Sequence, residues 1–206
     1  MAEKIRAERN RTLSVSESEI PGLEKFILSA NDIKNEFVDD CVINADLFDC
    51  LDSIPDGYFK LIIIDPPYNL DKDFHGKKFS SMTSNAYEEY LRSWFYKVCD
   101  KLAPNGTLYM CGDWKCTSSM QRVIEEKLTI INRITWQREK GRGAKSNWKN
   151  AMEDIWFAVK NPKDYYFDVE SVMMKRKVIA PYKVDGKPKD WEETESGNFR
   201  IDRKSV

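Results

Sequence analysis

Asp65, Pro66, Pro67 and Tyr68 stand in a row directly after the apolar run Leu61-Ile62-Ile63-Ile64. A carboxylate, a backbone carbonyl whose direction proline presets, and an aromatic ring together suit the activation of an amino group carried on a flat ring. The lone pair of an exocyclic amino group on adenine or cytosine is delocalised into the ring. Two acceptors that take its two N–H bonds favour a pyramidal nitrogen whose lone pair faces an electrophile. Asp65 and the Pro66 carbonyl supply those acceptors, and proline contributes no N–H and a fixed φ. Tyr68 supplies a stacking surface for a base lifted out of the duplex, which chemistry on a base edge requires. Such stacking contributes roughly 1–3 kcal/mol per base. The nitrogen attacks directly, so no cysteine nucleophile is needed, and a sulfonium suits as methyl donor because its charge is lost on transfer. The competing reading is a plain strand-terminating turn. Proline usage of roughly 5% makes an adjacent pair about a 1-in-400 event, and the flanking Asp and Tyr make coincidence a poor account.

Elements must hold this corner in place. Lys60 to Ile64 reads as a strand, and its continuous apolar character predicts a parallel strand covered on both faces. Ligands in open α/β sheets bind outside the carboxyl ends of such strands. Upstream, Cys41 to Ala45 reads as a short strand, Asp49 to Ile54 as a helical turn and Pro55-Asp56-Gly57 as a turn. Asn69 to Thr83 lacks periodicity and is expected to be a mobile flap. A helix is predicted from Asn85, with Asn85 as cap and Glu88 completing a box, and with Tyr87, Leu91, Trp94, Phe95, Val98 and Leu102 on its apolar face. Pro104-Asn105-Gly106 ends it. Thr107 to Cys111 and Ile130 to Trp136 read as strands around a helix from Thr117 to Lys127, Ile155 to Val159 as a further strand, and the alternation implies an α/β sheet.

Composition sets limits. The 206 residues carry 33 Lys+Arg and 34 Asp+Glu, a net charge of −1, so any nucleic-acid surface must be local. The five cysteines show no zinc or redox spacing and read as reduced thiols. His75 is the only histidine, so neither a metal cluster nor a Ser-His-Asp site assembles around it. No run approaches the ~18 apolar residues of a membrane span, and a cytoplasmic protein without metal or membrane attachment is expected. The basic loop between Arg138 and Asn150 offers Lys140, Arg142, Lys145 and Trp148 for DNA phosphates or the base pocket. A solvated loop or hairpin packing is the bland alternative. Lys175 and Arg176 form a second basic cluster.

Several blocks in one order resemble the beta group of DNA amino-methyltransferases that act on adenine N(6) or cytosine N(4). They are Asn44-Ala45-Asp46 ahead of Asp65-Pro66-Pro67-Tyr68, Leu102 to Tyr109, Trp136 with Asn147 to Asn150 and Glu153 to Phe157, and Ala180 to Arg200. The resemblance implies a Rossmann-like α/β sheet that uses S-adenosylmethionine. In it Asp65 and Pro66 hold the target amino group, Pro67 completes the corner, Tyr68 stacks on the flipped base, and Asp46 lies near the donor's adenosine together with Asp65 and Pro66. Asp46 as an ordinary helix cap remains the alternative. An Asp at the first motif position favours adenine over cytosine. The implied organisation is a charged arm over residues 1–30, a catalytic α/β domain over 31–167, and the start of a target-recognition segment over 168–206.

One departure stands out. The family's glycine-rich donor motif is missing, since among nine glycines only Gly141-Arg142-Gly143 has G-x-G spacing and it lies in the basic loop. The sheet is therefore expected to be incomplete in this chain, with a second polypeptide or a missing carboxyl-terminal segment supplying the glycine motif. Cytosine N(4) methylation, an RNA or protein-amide acceptor, and a non-catalytic DNA-binding fragment are the alternative readings.

Overall fold

The structure is a computed structural model that describes residues 13–36, 39–74, 76–142, 145–146, 148, 150–178 and 182–202. The chain divides into two compact units, Met1–Pro162 and Lys163–Val206.

In the first unit α1 (Ile20–Glu24) leads to β1 (Ile27–Leu28) and α2 (Ala30–Asn35), whose start is a capping box between Ser29 and Asp32. Then follow β2 (Val42–Ile43), parallel to β1, the short helix α3 (Leu47–Cys50), and a single tighter turn at Leu51–Ser53. Gly57 takes φ +66 and donates its N–H to the Asp100 carbonyl at 2.8 Å, which seats the entry to β3 (Phe59–Ile64). A hairpin of β4 (Lys72–Phe74) and β5 (Lys77–Phe79) comes next, then α4 (Ser84–Lys101), β6 (Leu102–Gly112), α5 (Thr117–Glu125), β7 (Thr129–Arg142) and β8 (Asn150–Val159).

The central sheet has the order β3-β6-β8-β7, with β3 parallel to β6 and the other pairs antiparallel. Its core lies between the sheet and the helix pair α4 and α5. Tyr87, Leu91 and Phe95 of α4 and Met120 and Ile124 of α5 are fully buried, and they pack in one cluster with Leu108, Met110, Trp156 and Ala158. Burial of each large side chain contributes roughly 1.5–3 kcal/mol.

Four expectations need correction. The stretch from Asn69 to Thr83, read as lacking periodicity, holds the β4–β5 hairpin: the Asn69 side chain donates to the Met82 carbonyl at 2.8 Å and accepts from its N–H at 2.7 Å, and Phe79 meets Tyr90 edge-on at 5.5 Å. Polar turn residues hid the pairing because their order comes from side-chain hydrogen bonds that leave no periodicity. The α4 cap is Thr83, which accepts from the Ala86 N–H, while Glu88 binds Arg122 of α5. Pro104 to Gly106 do not end an element. They form an irregularity inside β6, where the register jumps from Leu102 opposite Phe59 to Thr107 opposite Leu61 and so absorbs the proline. Finally, β3 is not covered on both faces. Ile62 and Ile64 pack on the core, whereas Leu61 and Ile63 are 52% and 67% exposed on the end strand of the sheet.

The second unit contains β9 (Met174–Lys177), the hairpin β10 (Lys183–Val184) and β11 (Lys187–Pro188), β12 (Glu192–Thr194) and β13 (Gly197–Asp202). Asp185 and Gly186, both at positive φ, make the two-residue turn of the hairpin. The antiparallel sheet β12-β13-β9 places Arg176 directly opposite Arg200. Trp191 is buried and donates its indole N–H to the Tyr182 carbonyl at 2.8 Å.

Candidate active site

Asp65 lies one residue past the end of β3, and its residue surface is open to solvent while Pro66 behind it is buried. Proline cannot extend the ladder, so the chain leaves the sheet here and presents the carboxylate outward. The corner is anchored from below. Tyr87, buried in α4, donates its hydroxyl to the Pro67 carbonyl at 2.9 Å, and the Asn69–Met82 pair closes the loop behind Tyr68.

Tyr68 is half-buried against the core cluster. Burial pushes its hydroxyl far above the usual phenol value, helped by a hydrogen bond to the Asp65 carboxylate and by the charges of Asp65 and Glu153. The phenol therefore stays neutral beside the Asp65 carboxylate, whose lone pairs suit an N–H donor. Cys111, next along β6 from Met110, which pairs with Ile64, is also raised, first by burial and then by the same two carboxylates. Asp65 and Glu153 thus act electrostatically on the same two side chains. Glu153 reaches this place from β8, where its side chain is 14% exposed and held by Arg138 of β7 at 2.5 Å.

The expected site residues are distributed as follows. Asp46 caps α3, its carboxylate accepting from the Phe48 N–H at 3.0 Å, and it is exposed. Lys145 is exposed and Trp148 is 96% exposed at the tip between β7 and β8. Lys140 and Arg142 have backbones within β7, but their side chains lie outside the described residues, as do His75, Gly143, Asn147 and Lys149. Lys175 and Arg176 are exposed on β9 in the second unit. Glu153, which stands in one of the family-like blocks, is paired with Arg138 across the β7–β8 hairpin.

Sequence reasoning passed over Cys111 and Trp114. Trp114, 60% exposed, follows β6 at the same sheet end as Asp65, with the Lys115 ammonium 5.8 Å from its ring centre. The signal was an exposed-type sequence, Asp113-Trp114-Lys115, directly after a buried strand. No group of three metal-ligating side chains occurs among the described residues, and no described helix is long and apolar enough to cross a membrane.

Comparison with known proteins adds to this geometry. The family model N6_N4_Mtase, DNA methylase, matches residues 59–196. Type II methyltransferase M.HpaI of Haemophilus parainfluenzae is 28% identical over 142 residues, 68% of this chain and 45% of that protein. Type II methyltransferase M1.MboII of Moraxella bovis is 33% identical over 128 residues, 61% of this chain and 47% of that protein. DNA adenine methyltransferase YhdJ of Escherichia coli (strain K12) is 27% identical over 141 residues, 66% and 46%. This chain spans about half the length of these three relatives. Among solved structures, PvuII DNA methyltransferase (cytosine-N4-specific) superposes with a TM-score of 0.51 at 18% identity, covering 62% of this chain and 51% of that one, a likeness of fold.

Proposed function

This chain belongs to the DNA methylase family, and on that footing we propose that it is the catalytic-loop part of a site-specific DNA methyltransferase acting on the exocyclic amino group of adenine. The observation that carries the reading is the exposed Asp65 beside a buried proline and a half-buried, neutral Tyr68 at a strand end.

The chemistry gives each residue a role. The Asp65 carboxylate and the Pro66 carbonyl accept the two N–H bonds of the target amino group and turn its lone pair outward. Pro67 keeps that carbonyl direction fixed, since its own carbonyl is held by Tyr87. Tyr68 stacks on the flipped base while its hydroxyl steadies Asp65. When bound, S-adenosylmethionine supplies an electrophilic methyl carried on a sulfonium. The amino nitrogen held by Asp65 and the Pro66 carbonyl would accept that methyl and would give up a proton to Asp65 or to water.

The residues that fit such a donor are Asp46, Asp65 and Pro66. Two carboxylates, Asp65 and Glu153, beside half-buried side chains suit a cation that becomes neutral on reaction. No glycine turn after a buried strand is available to cradle the donor's amino-acid end, so activity is assigned to this chain together with a complementing polypeptide or a carboxyl-terminal continuation. Trp114 forms a second aromatic wall at the same sheet end.

Duplex DNA is the partner. Lys140, Arg142, Lys145 and Trp148 are assigned to its phosphates or to the base pocket, and Lys175 and Arg176 form a second basic cluster for phosphates. Arg176 lies directly opposite Arg200 of β13, which adds to the local positive charge of that sheet. Cytosine N(4) is the second reading, favoured by the fold likeness to a cytosine-specific enzyme.

The test is to incubate the chain with its complementing part, duplex DNA and a methyl-labelled donor, and then to resolve the nucleosides by mass spectrometry. N(6)-methyladenine supports the proposal and N(4)-methylcytosine the alternative. Absence of any methylated base, with DNA still bound, would leave only the binding-fragment reading standing.

A further inference from the structure

We infer that Trp114 is the residue that enters the duplex step vacated by the target base, and that Lys115 holds the phosphate beside it. The inference rests on the methylase reading and adds what keeps the duplex open while Tyr68 receives the base.

Position carries the first part. β3 and β6 run parallel with Ile64 opposite Met110, so Asp65 is level with Cys111. β6 stops at Gly112 and α5 starts at Thr117, and Trp114 stands in the turn between them, beyond the sheet end that carries Asp65. That turn rests on the same floor as the catalytic corner. Cys116 closes it and is 1% exposed, Tyr87 is fully buried, and both belong to the cluster against which Tyr68 packs. Tyr87 in turn props the Pro67 carbonyl.

Stiffness carries the second. The Asp113 carboxylate accepts from the Lys115 N–H at 2.9 Å and from the Cys116 N–H at 3.1 Å, and the Asp113 carbonyl accepts from the Thr117 N–H at 2.9 Å. A Cβ at Gly112 would run into the Met120 sulfur, so glycine lets the end of β6 approach α5 this closely. A ring on such a turn is ordered before DNA arrives, which lowers the cost of binding.

Exposure gives the occupant. Tyr68 is half-buried, as suits a ring that shares a pocket with a base, whereas Trp114 is 60% exposed and holds a large apolar face in water. Extrusion of a base leaves an open step, and an aromatic face stacks on whichever bases border it. Apolar side chains inserted between base steps are a general way to hold a duplex deformed. Lys115 supplies the charge: its side chain is exposed and its ammonium lies 5.8 Å from the indole centre, so the inserted ring brings a cation to the backbone of the opened step. Trp136, 57% exposed, is a ladder residue opposite Glu153 and does not stand beyond a strand end.

The experiment uses the 206-residue chain and two duplexes of one arbitrary sequence, one fully paired and one with a single abasic position flanked by 2-aminopurine. Affinity, 2-aminopurine fluorescence and, with the complementing part added, methyl transfer are read separately. The native chain should bind the abasic duplex about fivefold or more tightly than the paired one, the lower end of one base–aromatic stack, and should quench the 2-aminopurine as the indole stacks on it. Trp114→Phe should keep both effects. Trp114→Ala, at an exposed position, should keep its circular dichroism and hold its affinity for the paired duplex, which phosphate contacts set, within about twofold, while losing the preference and the quench. Lys115→Gln should lower the slope of log K against log salt by about 1 and leave the quench in place. The inference is overturned if the native chain binds neither duplex or shows no preference, if Trp114→Ala still quenches, if Trp114→Phe behaves as the alanine variant does, or if Lys115→Gln leaves the slope unchanged. Loss of the quench in Trp114→Ala, with no methylated base in any mixture, would defeat the methylase reading and leave Trp114 in the duplex. Methylated base with an unchanged quench in Trp114→Ala would do the reverse.

Discussion

Asp65 illustrates how much one side chain depends on its neighbours. Its carboxylate is outside the fold, so replacing it leaves the core intact, and Asp65→Ala should lower methyl transfer at least about 10²–10³-fold, the scale of losing a preorganised hydrogen-bonding group. DNA affinity in a filter-binding assay should change less than twofold, and near-normal turnover would remove Asp65 from the mechanism. Tyr68 separates two contributions. Tyr68→Phe keeps the stacking ring and loses the hydroxyl beside Asp65. Tyr68→Ala loses the ring as well and should weaken base extrusion by roughly 1–3 kcal/mol, seen as a smaller rise in 2-aminopurine fluorescence at the target position. Equal fluorescence in the two variants would argue that the ring does not touch the base. Glu153 stood in a family-like block without an assigned role; the register of β8 and its pairing with Arg138 bring it to the site.

At the scale of elements, the clamp between α4 and α5 supports the floor beneath the Asp65 corner. Glu88, with its side chain 10% exposed, accepts from Arg122 at 2.8 Å and from Arg92 at 3.4 Å. Arg122→Met leaves that carboxylate with one weaker partner and should cost on the order of 1–3 kcal/mol, read from the urea midpoint. A shift below about 0.3 kcal/mol, small against that desolvation cost, would mean that Arg92 compensates fully. The same helices bury two thiols: burial raises Cys99 to about 12 and Cys116 to about 11, against an ordinary value of 9.0. The folded state therefore keeps protons that the unfolded chain releases. The stability from these thiols is complete below about pH 9 and is lost as pH climbs toward 11–12. The urea midpoint should fall between about pH 8.5 and 10.5, and replacing both cysteines with alanine should flatten that fall. The apolar spacing of α4 was readable because Tyr87, Leu91, Trp94, Phe95 and Val98 repeat with the helix period. The β4–β5 hairpin was not readable, because Asn69, Asp71 and Ser81 order it through contacts ten or more residues apart.

For the molecule as a whole, a net charge of −1 means that DNA binding must come from local clusters rather than from an overall field. Neutralising Lys175 and Arg176 together should reduce the slope of log K against log salt by about 2, at roughly 0.9 per phosphate contact, with little effect on the ratio of specific to non-specific affinity. An unchanged slope would take the second unit's basic strand out of the interface. Much of the candidate site could be read from the amino-acid sequence alone. Asp65-Pro66-Pro67-Tyr68 after an apolar strand, the α/β alternation and the family likeness all rest on local order, and local order is what a linear sequence records. The tertiary structure decided the rest. It turned an expected inner strand into an open edge, brought Glu153 and Cys111 to act with Asp65 on one corner, and made Tyr87 the prop for Pro67. Each of these depends on which distant strands and helices lie side by side, and that is set by packing and register between segments far apart in the chain.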